Sequence, residues 1–233
     1  MEQRREGLQA VKAEDVLTHA RALLLDFDGP VCSVFAGIPA STVADQLRGV
    51  LADGGHTDLP DAVATSDDPF DIFRYAALLG DDDAHYVEAA FTAHEVEAIA
   101  SAIPTNGAHE LIHAWHQSGR PLAIVSNNSA QAINAYLDLY GLRTSIDLVS
   151  ARIGSNVTLL KPRPHLLDQA VTVLDATPGE CLFIGDSLTD IEAARAARVS
   201  FVAYANKPHK ATQFAQAGAD VIIGTLTDMS AMA

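Results

Sequence analysis

The sequence predicts an α/β fold, a doubly wound parallel sheet with one small all-helical insertion, and three observations carry that prediction. Short apolar runs recur at Ala22 to Phe27, Leu122 to Val125, Ile146 to Val149, Cys181 to Ile184, Val199 to Ala203 and Val221 to Ile223. Each ends in a small polar cluster, and longer Ala-rich stretches of helical spacing separate them. The stretch between the first two runs, residues 28–121, is far longer than one crossover requires.

Each element follows from local chemistry. Strands that read as continuous hydrophobic runs are buried on both faces, and helices between them imply right-handed crossovers in a parallel sheet. Within the long stretch, Asp68-Pro69 pairs an N-cap with proline at the first helical position, and Phe70 to Leu79 runs on to Gly80 as a stop. Asp82 is expected to cap the next helix, which extends through Ala102 with Pro104 beyond its end. The run Asp81 to Asp83 reads as a solvated helix start. The insertion is therefore placed at 33–102, leaving 1–32 and 103–233 as the α/β core.

Composition bounds the partners. With 233 residues the chain can bury a core without disulfides or metal. Thirty Asp and Glu against 15 Lys and Arg give a net charge of −15, a field that repels nucleic acid and acidic membrane surfaces. No apolar run approaches the roughly 20 residues needed to cross a bilayer, and the first residues are polar, so a cytoplasmic protein is expected. Cys32 and Cys181, far apart in apolar surroundings, read as reduced, buried thiols.

Ligands of open α/β sheets bind beyond the carboxyl ends of the strands, and four of those ends carry polar groups. The first is Asp26-Phe27-Asp28-Gly29, where alternation on extended backbone turns both carboxylates to one side. Like charges so close split their pKa values unless a cation intervenes. The second, Ser126-Asn127-Asn128-Ser129, offers a hydroxyl, amides and backbone N–H groups at a helix start, which suits an oxyanion. The third is Lys161-Pro162-Arg163-Pro164, whose prolines hold Lys161 on an extended loop from which it can reach inward. The fourth, Gly185-Asp186-Ser187-Leu188-Thr189-Asp190, sets one carboxylate at the strand end and another one turn into the next helix.

Charge joins the four pieces. Four carboxylates met by one Mg²⁺ and Lys161 leave a single negative charge, which protonation of Asp28 removes, so that a dianionic phosphate can enter. Hard oxygen ligands at fixed positions are what Mg²⁺ prefers.

In order and spacing these pieces resemble the haloacid dehalogenase superfamily. The insertion directly after the first piece looks like that superfamily's helical cap, and Asn206-Lys207-Pro208 with Ala219-Asp220-Val221-Ile222 resembles the ends of phosphoglycolate-phosphatase-like members. The resemblance implies a Mg²⁺-dependent phosphatase for small phosphorylated metabolites. In it Asp26 is the nucleophile and Asp28 the acid and base, Ser126 with Asn127 holds phosphoryl oxygens, and Lys161 neutralises charge. It also implies that Asp26, the backbone carbonyl of Asp28 and Asp186 hold magnesium, with Asp190 in support. After Asp28-Gly29, where the family commonly has Thr or Val, this chain has Pro30-Val31-Cys32, which stiffens the turn leading into the cap.

Other readings compete. His109-Glu110-Leu111-Ile112-His113, with His116 one turn later, matches the H-E-x-x-H pattern of zinc proteases. Its helix, however, carries an apolar stripe of Leu111, Ile112 and Trp115 suited to packing on a sheet, which favours histidines that merely occupy the polar face. Within the superfamily Asp28 favours phosphoryl transfer over carbon–halogen cleavage. A phosphomutase resembling β-phosphoglucomutase and a non-catalytic phosphate-binding domain remain the alternatives.

Overall fold

The computed structural model describes residues 13–230. The polar residues 1–12 used above in reading the amino terminus lie outside the described residues.

After helix α1 (Ala13–His19) the chain enters β1 (Ala22–Leu25), the centre of a six-stranded parallel sheet. A short strand β2 (Cys32–Ser33) leads to four helices, α2 (Ala40–Asp53), α3 (Asp61–Ala64), α4 (Pro69–Leu79) and α5 (Asp81–Ile99). Strand β3 (Ile103–Pro104) then pairs antiparallel with β2 and closes this excursion. There follow α6 (Ala108–Gln117), β4 (Leu122–Ser129), α7 (Ala130–Leu139), β5 (Leu148–Arg152), α8 (His165–Val173), β6 (Cys181–Gly185), α9 (Leu188–Ala197), β7 (Ser200–Tyr204), α10 (Pro208–Gln216), β8 (Ile222–Ile223) and α11 (Thr227–Ser230).

The strand order is β5-β4-β1-β6-β7-β8. The chain builds outward from β1 on one side and then returns to build on the other, so the direction of winding reverses at β1. Alternation along each strand explains why these runs are apolar throughout. Leu23, Leu25, Ile124 and Ile184 face α6 and α7 through Leu111, Trp115, Ile133 and Tyr136, whereas Leu24, Val125 and Phe183 face α8 and α9 through Leu167, Ala170 and Ala193. Helices α2, α4 and α5 bury a separate cluster of Val43, Leu47, Ile72, Phe73, Val87 and Phe91, joined by Leu160 from the loop before α8.

Asp68 caps α4 by accepting from Phe70 N at 2.9 Å, with Pro69 at the first helical position. Helix α5 differs from expectation. Gly80, not Asp82, is its N-cap, and it ends at Ile99 rather than Ala102, because Ala102 leads directly into the ribbon strand β3. Strand β5 is displaced from the expected Ile146 to Val149 and runs on to the polar residues Ser150 and Arg152, which find buried partners.

Pro30 is accommodated without loss. The turn after Asp28 uses the N–H groups of Gly29, Val31 and Cys32, bonded to the carbonyls of Cys32, Phe27 and Phe27, so the donor that proline lacks is not needed. Gly29 is required there: its φ is +103°, and a Cβ would stand 2.3 Å from Cγ of Asp186.

Candidate active site

The register of the sheet brings the four pieces together. Leu25 aligns with Ile124 of β4 and Ile184 of β6, so Asp26, one residue further, stands level with Val125 and Gly185, the residues that Ser126 and Asp186 follow. Asp26 is buried, and its Oδ1 accepts from Phe27 N at 2.7 Å, which fixes the rotation of the carboxylate.

Lys161 reaches into the same space from the loop before α8 and is 2% exposed. Its Nζ lies 2.9 Å from Asp26 Oδ1, 2.6 Å from Asp190 Oδ1 and 3.2 Å from the carbonyl of Val125. Burial works against the ammonium, but the Asp190 and Asp26 carboxylates outweigh it and hold the pKa above the ordinary lysine value.

Asp190 sits in the first turn of α9 with a fully buried side chain. Its Oδ2 accepts from Asp186 N, Ser187 N and Ser187 Oγ in a capping box, while Oδ1 meets only the Lys161 ion pair and makes no hydrogen bond elsewhere. The close approach requires Gly185, where a Cβ would come within 2.6 Å of the Asp190 side chain.

One carboxylate oxygen from each of Asp26, Asp186 and Asp190 falls within 4.8 Å of the others, the one such group of three His, Cys, Asp or Glu among the described residues. These are hard donors, and Asp190 Oδ1 has no partner but the Lys161 ammonium, so the residues fit a small divalent cation such as Mg²⁺. The Asp28 side chain stands outside this trio, and its Oδ1 accepts from Val34 N at 2.9 Å. Burial pushes Asp28 up to about 6 and Asp26 up to about 8, the charge of Asp190 adding to the effect at Asp26.

The reading of strand ends missed a fifth contributor. Lys210, in α10 beyond β7, donates to Asp186 Oδ2 at 2.5 Å and to the Asp186 carbonyl at 2.7 Å, and Asn206 Nδ2 reaches the same Oδ2 at 2.9 Å. Four carboxylates thus face two ammonium groups, and one divalent cation balances the cluster without a proton on Asp28. The end of β7 was the place to look, since Asn206-Lys207-Pro208 follows it directly.

The second piece shows two features that the sequence did not specify. Strand β4 continues through Ser129, past the expected end at Val125, and Ser129 caps α7 by accepting from Ala132 N, so the cluster does stand at a helix start, with the helix beginning at Ala130. The Asn127 carboxamide is spent on the main chain of Lys161, accepting from its N at 2.8 Å and donating to its carbonyl at 3.1 Å. Asn127 therefore ties the end of β4 to the backbone of Lys161. Ser126 is buried, with Oγ donating to Asn128 Oδ1 at 3.1 Å.

A cavity of about 480 Å³ lies over this cluster. Asp26, Asp28, Ser126, Lys161 and Asp186 line it from the sheet side, and Phe35, Phe70 and Arg74 from the inserted segment.

The zinc-protease pattern does not assemble. His113 and His116 are exposed, whereas His109 is half-buried and bonds Tyr136 Oη at 2.8 Å, packed against Tyr136 and Tyr140 rather than on the polar face. Cys32 and Cys181 are both buried and free, and burial pushes both thiols up. No described helix is long and apolar enough to cross a membrane.

Known proteins resemble both the sequence and the fold. The chain is 28% identical over 191 residues to a plasmid phosphoglycolate phosphatase of Cupriavidus necator, a match covering 80% of this chain and 72% of that protein. It is 36% identical over 92 residues to a phosphoglycolate phosphatase of Photobacterium profundum, where the match spans only 39% of either protein. Among solved structures, a haloacid dehalogenase-like hydrolase from Bacteroides fragilis superposes with a TM-score of 0.67 at 24% identity, over 90% of this chain and 99% of that one. CbbY from Rhodobacter sphaeroides, solved in complex with phosphate, gives 0.62 at 20% identity, over 90% and 96%. The model of the haloacid dehalogenase-like hydrolases matches residues 20–198, from the start of β1 to the end of α9, a span that holds the acidic trio, Ser126 and Lys161, and the chain belongs to that family.

Proposed function

We propose that the protein is a Mg²⁺-dependent phosphatase of small phosphate monoesters that works through a phosphorylated Asp26. The observation that carries the reading is the meeting of the Asp26, Asp186 and Asp190 carboxylates, with Lys161 against Asp26 and Asp190, beside a cavity that Asp26, Asp186, Lys161 and Ser126 line. Asp26, the carbonyl of Asp28 and Asp186 would hold the ion, with Asp190 behind them. When bound, it supplies positive charge that lets an anionic ester approach an anionic nucleophile.

The protein's own groups do the rest. An Asp26 carboxylate oxygen attacks phosphorus, the bond from phosphorus to the ester oxygen breaks, and Asp28 gives its proton to the departing alcohol. A carboxyl held near 6 is well poised for this, because it can carry the proton near neutrality and take one back. Asp28, now ionised, removes a proton from water, whose oxygen attacks phosphorus and frees Asp26 and phosphate. Ser126 donates to a phosphoryl oxygen, and Lys161 offsets charge at the nucleophile. Residues 33–102 act as a cap that covers the cavity with Phe35, Phe70 and Arg74 and limits substrates to small ones.

The test is turnover of a panel of small phosphate monoesters with and without Mg²⁺, run beside Asp26→Asn and Asp28→Asn. Metal-dependent release of phosphate, lost in Asp26→Asn, is expected. Binding of phosphate without turnover of any ester would sink the reading in favour of a non-catalytic domain, and conversion of a sugar 1-phosphate to its 6-phosphate would replace it with a mutase.

A further inference from the structure

We propose that Glu95 and Arg152 are positioning residues that orient the Ser126 hydroxyl, so that α5 of the inserted segment sets the phosphate-binding end of β4. The inference rests on the reading of Ser126 as a ligand of phosphoryl oxygen.

Glu95 lies near the end of α5 and is fully buried, and Arg152 ends β5, the strand beside β4, at 2% exposed. Buried charges cost more than they return unless every donor and acceptor is used, and an apolar pair of similar volume would serve packing as well. Here the hydrogen bonds converge on the residues that follow Ser126. Arg152 Nε donates to the carbonyl of Asn127 at 3.1 Å, and one terminal nitrogen donates to Glu95 Oε2 at 2.5 Å. The other terminal nitrogen meets Glu88 and donates to Thr92 Oγ1 at 3.1 Å. Glu95 Oε2 also accepts from Ser129 N at 2.9 Å, and Oε1 accepts from Asn128 Nδ2 at 2.9 Å. Three consecutive residues are therefore gripped by one ion pair, through a carbonyl, a carboxamide and an N–H.

The carboxamide transmits the effect. An ionised carboxylate only accepts, so Glu95 compels Asn128 to present Nδ2 to it and Oδ1 to the opposite side. That side holds Ser126, whose Oγ–H donates to Asn128 Oδ1 at 3.1 Å while Asn128 N donates back to Oγ at 3.3 Å. The Ser126 oxygen is thus held in place from α5, and its single proton, given to Asn128 in the free protein, is the one that turns to a phosphoryl oxygen while Asn128 N keeps its bond to Oγ. None of these groups belongs to the acidic trio that would hold metal.

The experiment compares Glu95→Gln and Arg152→Lys with Leu47→Ala, which opens the apolar cluster of the insertion without touching β4. Turnover of p-nitrophenyl phosphate, the dissociation constant of inorganic phosphate at saturating Mg²⁺, and Mg²⁺ affinity by calorimetry are measured on full-length protein well below its melting temperature. Glu95→Gln is expected to lose about tenfold or more in both kcat/KM and phosphate affinity with Mg²⁺ affinity unchanged. Arg152→Lys should move the same way by less, and carries the test if Glu95→Gln does not fold. Leu47→Ala should lower the melting temperature and leave both constants within about twofold. Unchanged phosphate affinity in the first two variants, or an equal loss of Mg²⁺ affinity, overturns the positioning role alone. A wild-type protein that neither binds phosphate nor hydrolyses the ester overturns the phosphatase reading, and the positioning role falls with it.

Discussion

The ammonium of Lys161 stands 2.6 Å from Oδ1 of Asp190, a buried carboxylate oxygen that makes no hydrogen bond elsewhere. Two residues 29 positions apart in the chain, one on a loop and one in a helix, thereby solve a joint problem. Each charge would be costly alone in that interior, and the pair with Asp26 is what lets three charged groups share it.

Replacement of Lys161 by Met therefore leaves the buried carboxylate of Asp190, and that of Asp26 wherever it is ionised, without a counter-ion. We expect a loss of about 3–5 kcal/mol in metal-free urea denaturation. Added Mg²⁺ should recover part of it, since a cation then returns to the cluster. An unchanged midpoint would show that the ammonium contributes nothing to the fold.

Asp26 makes stability depend on pH in a definite direction. Burial raises its carboxyl from 3.8 to about 8, so in the metal-free folded protein it keeps a proton that the unfolded chain has already released between those values. The folded state binds more protons, and stability falls as pH rises through that window and levels off above about 8. Urea denaturation in chelator from about pH 5 to about pH 9 should reveal this decline, and Asp26→Asn should flatten it while abolishing turnover.

Lys210 competes with a divalent cation for Asp186. With Lys210→Met the cluster becomes more negative by one charge, so Mg²⁺ should bind several-fold tighter and inorganic phosphate several-fold weaker. Calorimetric titration of each ligand checks the opposite signs. Parallel changes in both would point to a general distortion instead.

Gly29→Ala tests how closely the turn approaches the site. The added methyl group would lie 2.3 Å from Asp186 Cγ on backbone with φ of +103°, so both strain and displacement of a candidate ligand follow. A loss of about 2 kcal/mol or more is expected, together with weakened Mg²⁺ binding. The same substitution at Gly119, where a Cβ meets nothing within 4 Å, should leave Mg²⁺ affinity unchanged.

The sequence by itself determined the sheet, because strands buried on both faces must be apolar at every position, and Leu23-Leu24-Leu25 or Leu182-Phe183-Ile184 cannot be read otherwise. It also determined which strand ends carry polar side chains, since Asp26, Ser126 and Asp186 directly follow or close such runs. What only the tertiary structure decided are the partners brought from elsewhere in the chain. The polar end of β7 did not tell which of its residues would reach Asp186, the Asn127 carboxamide was uncommitted until it met Lys161, and β5 extends to Arg152 only because Glu95 and Glu88 neutralise a guanidinium that would otherwise end a buried strand. Periodicity reports which face of an element is apolar, but the worth of a buried charge depends on what lies a few ångströms away in space, and that distance is fixed only when the elements pack.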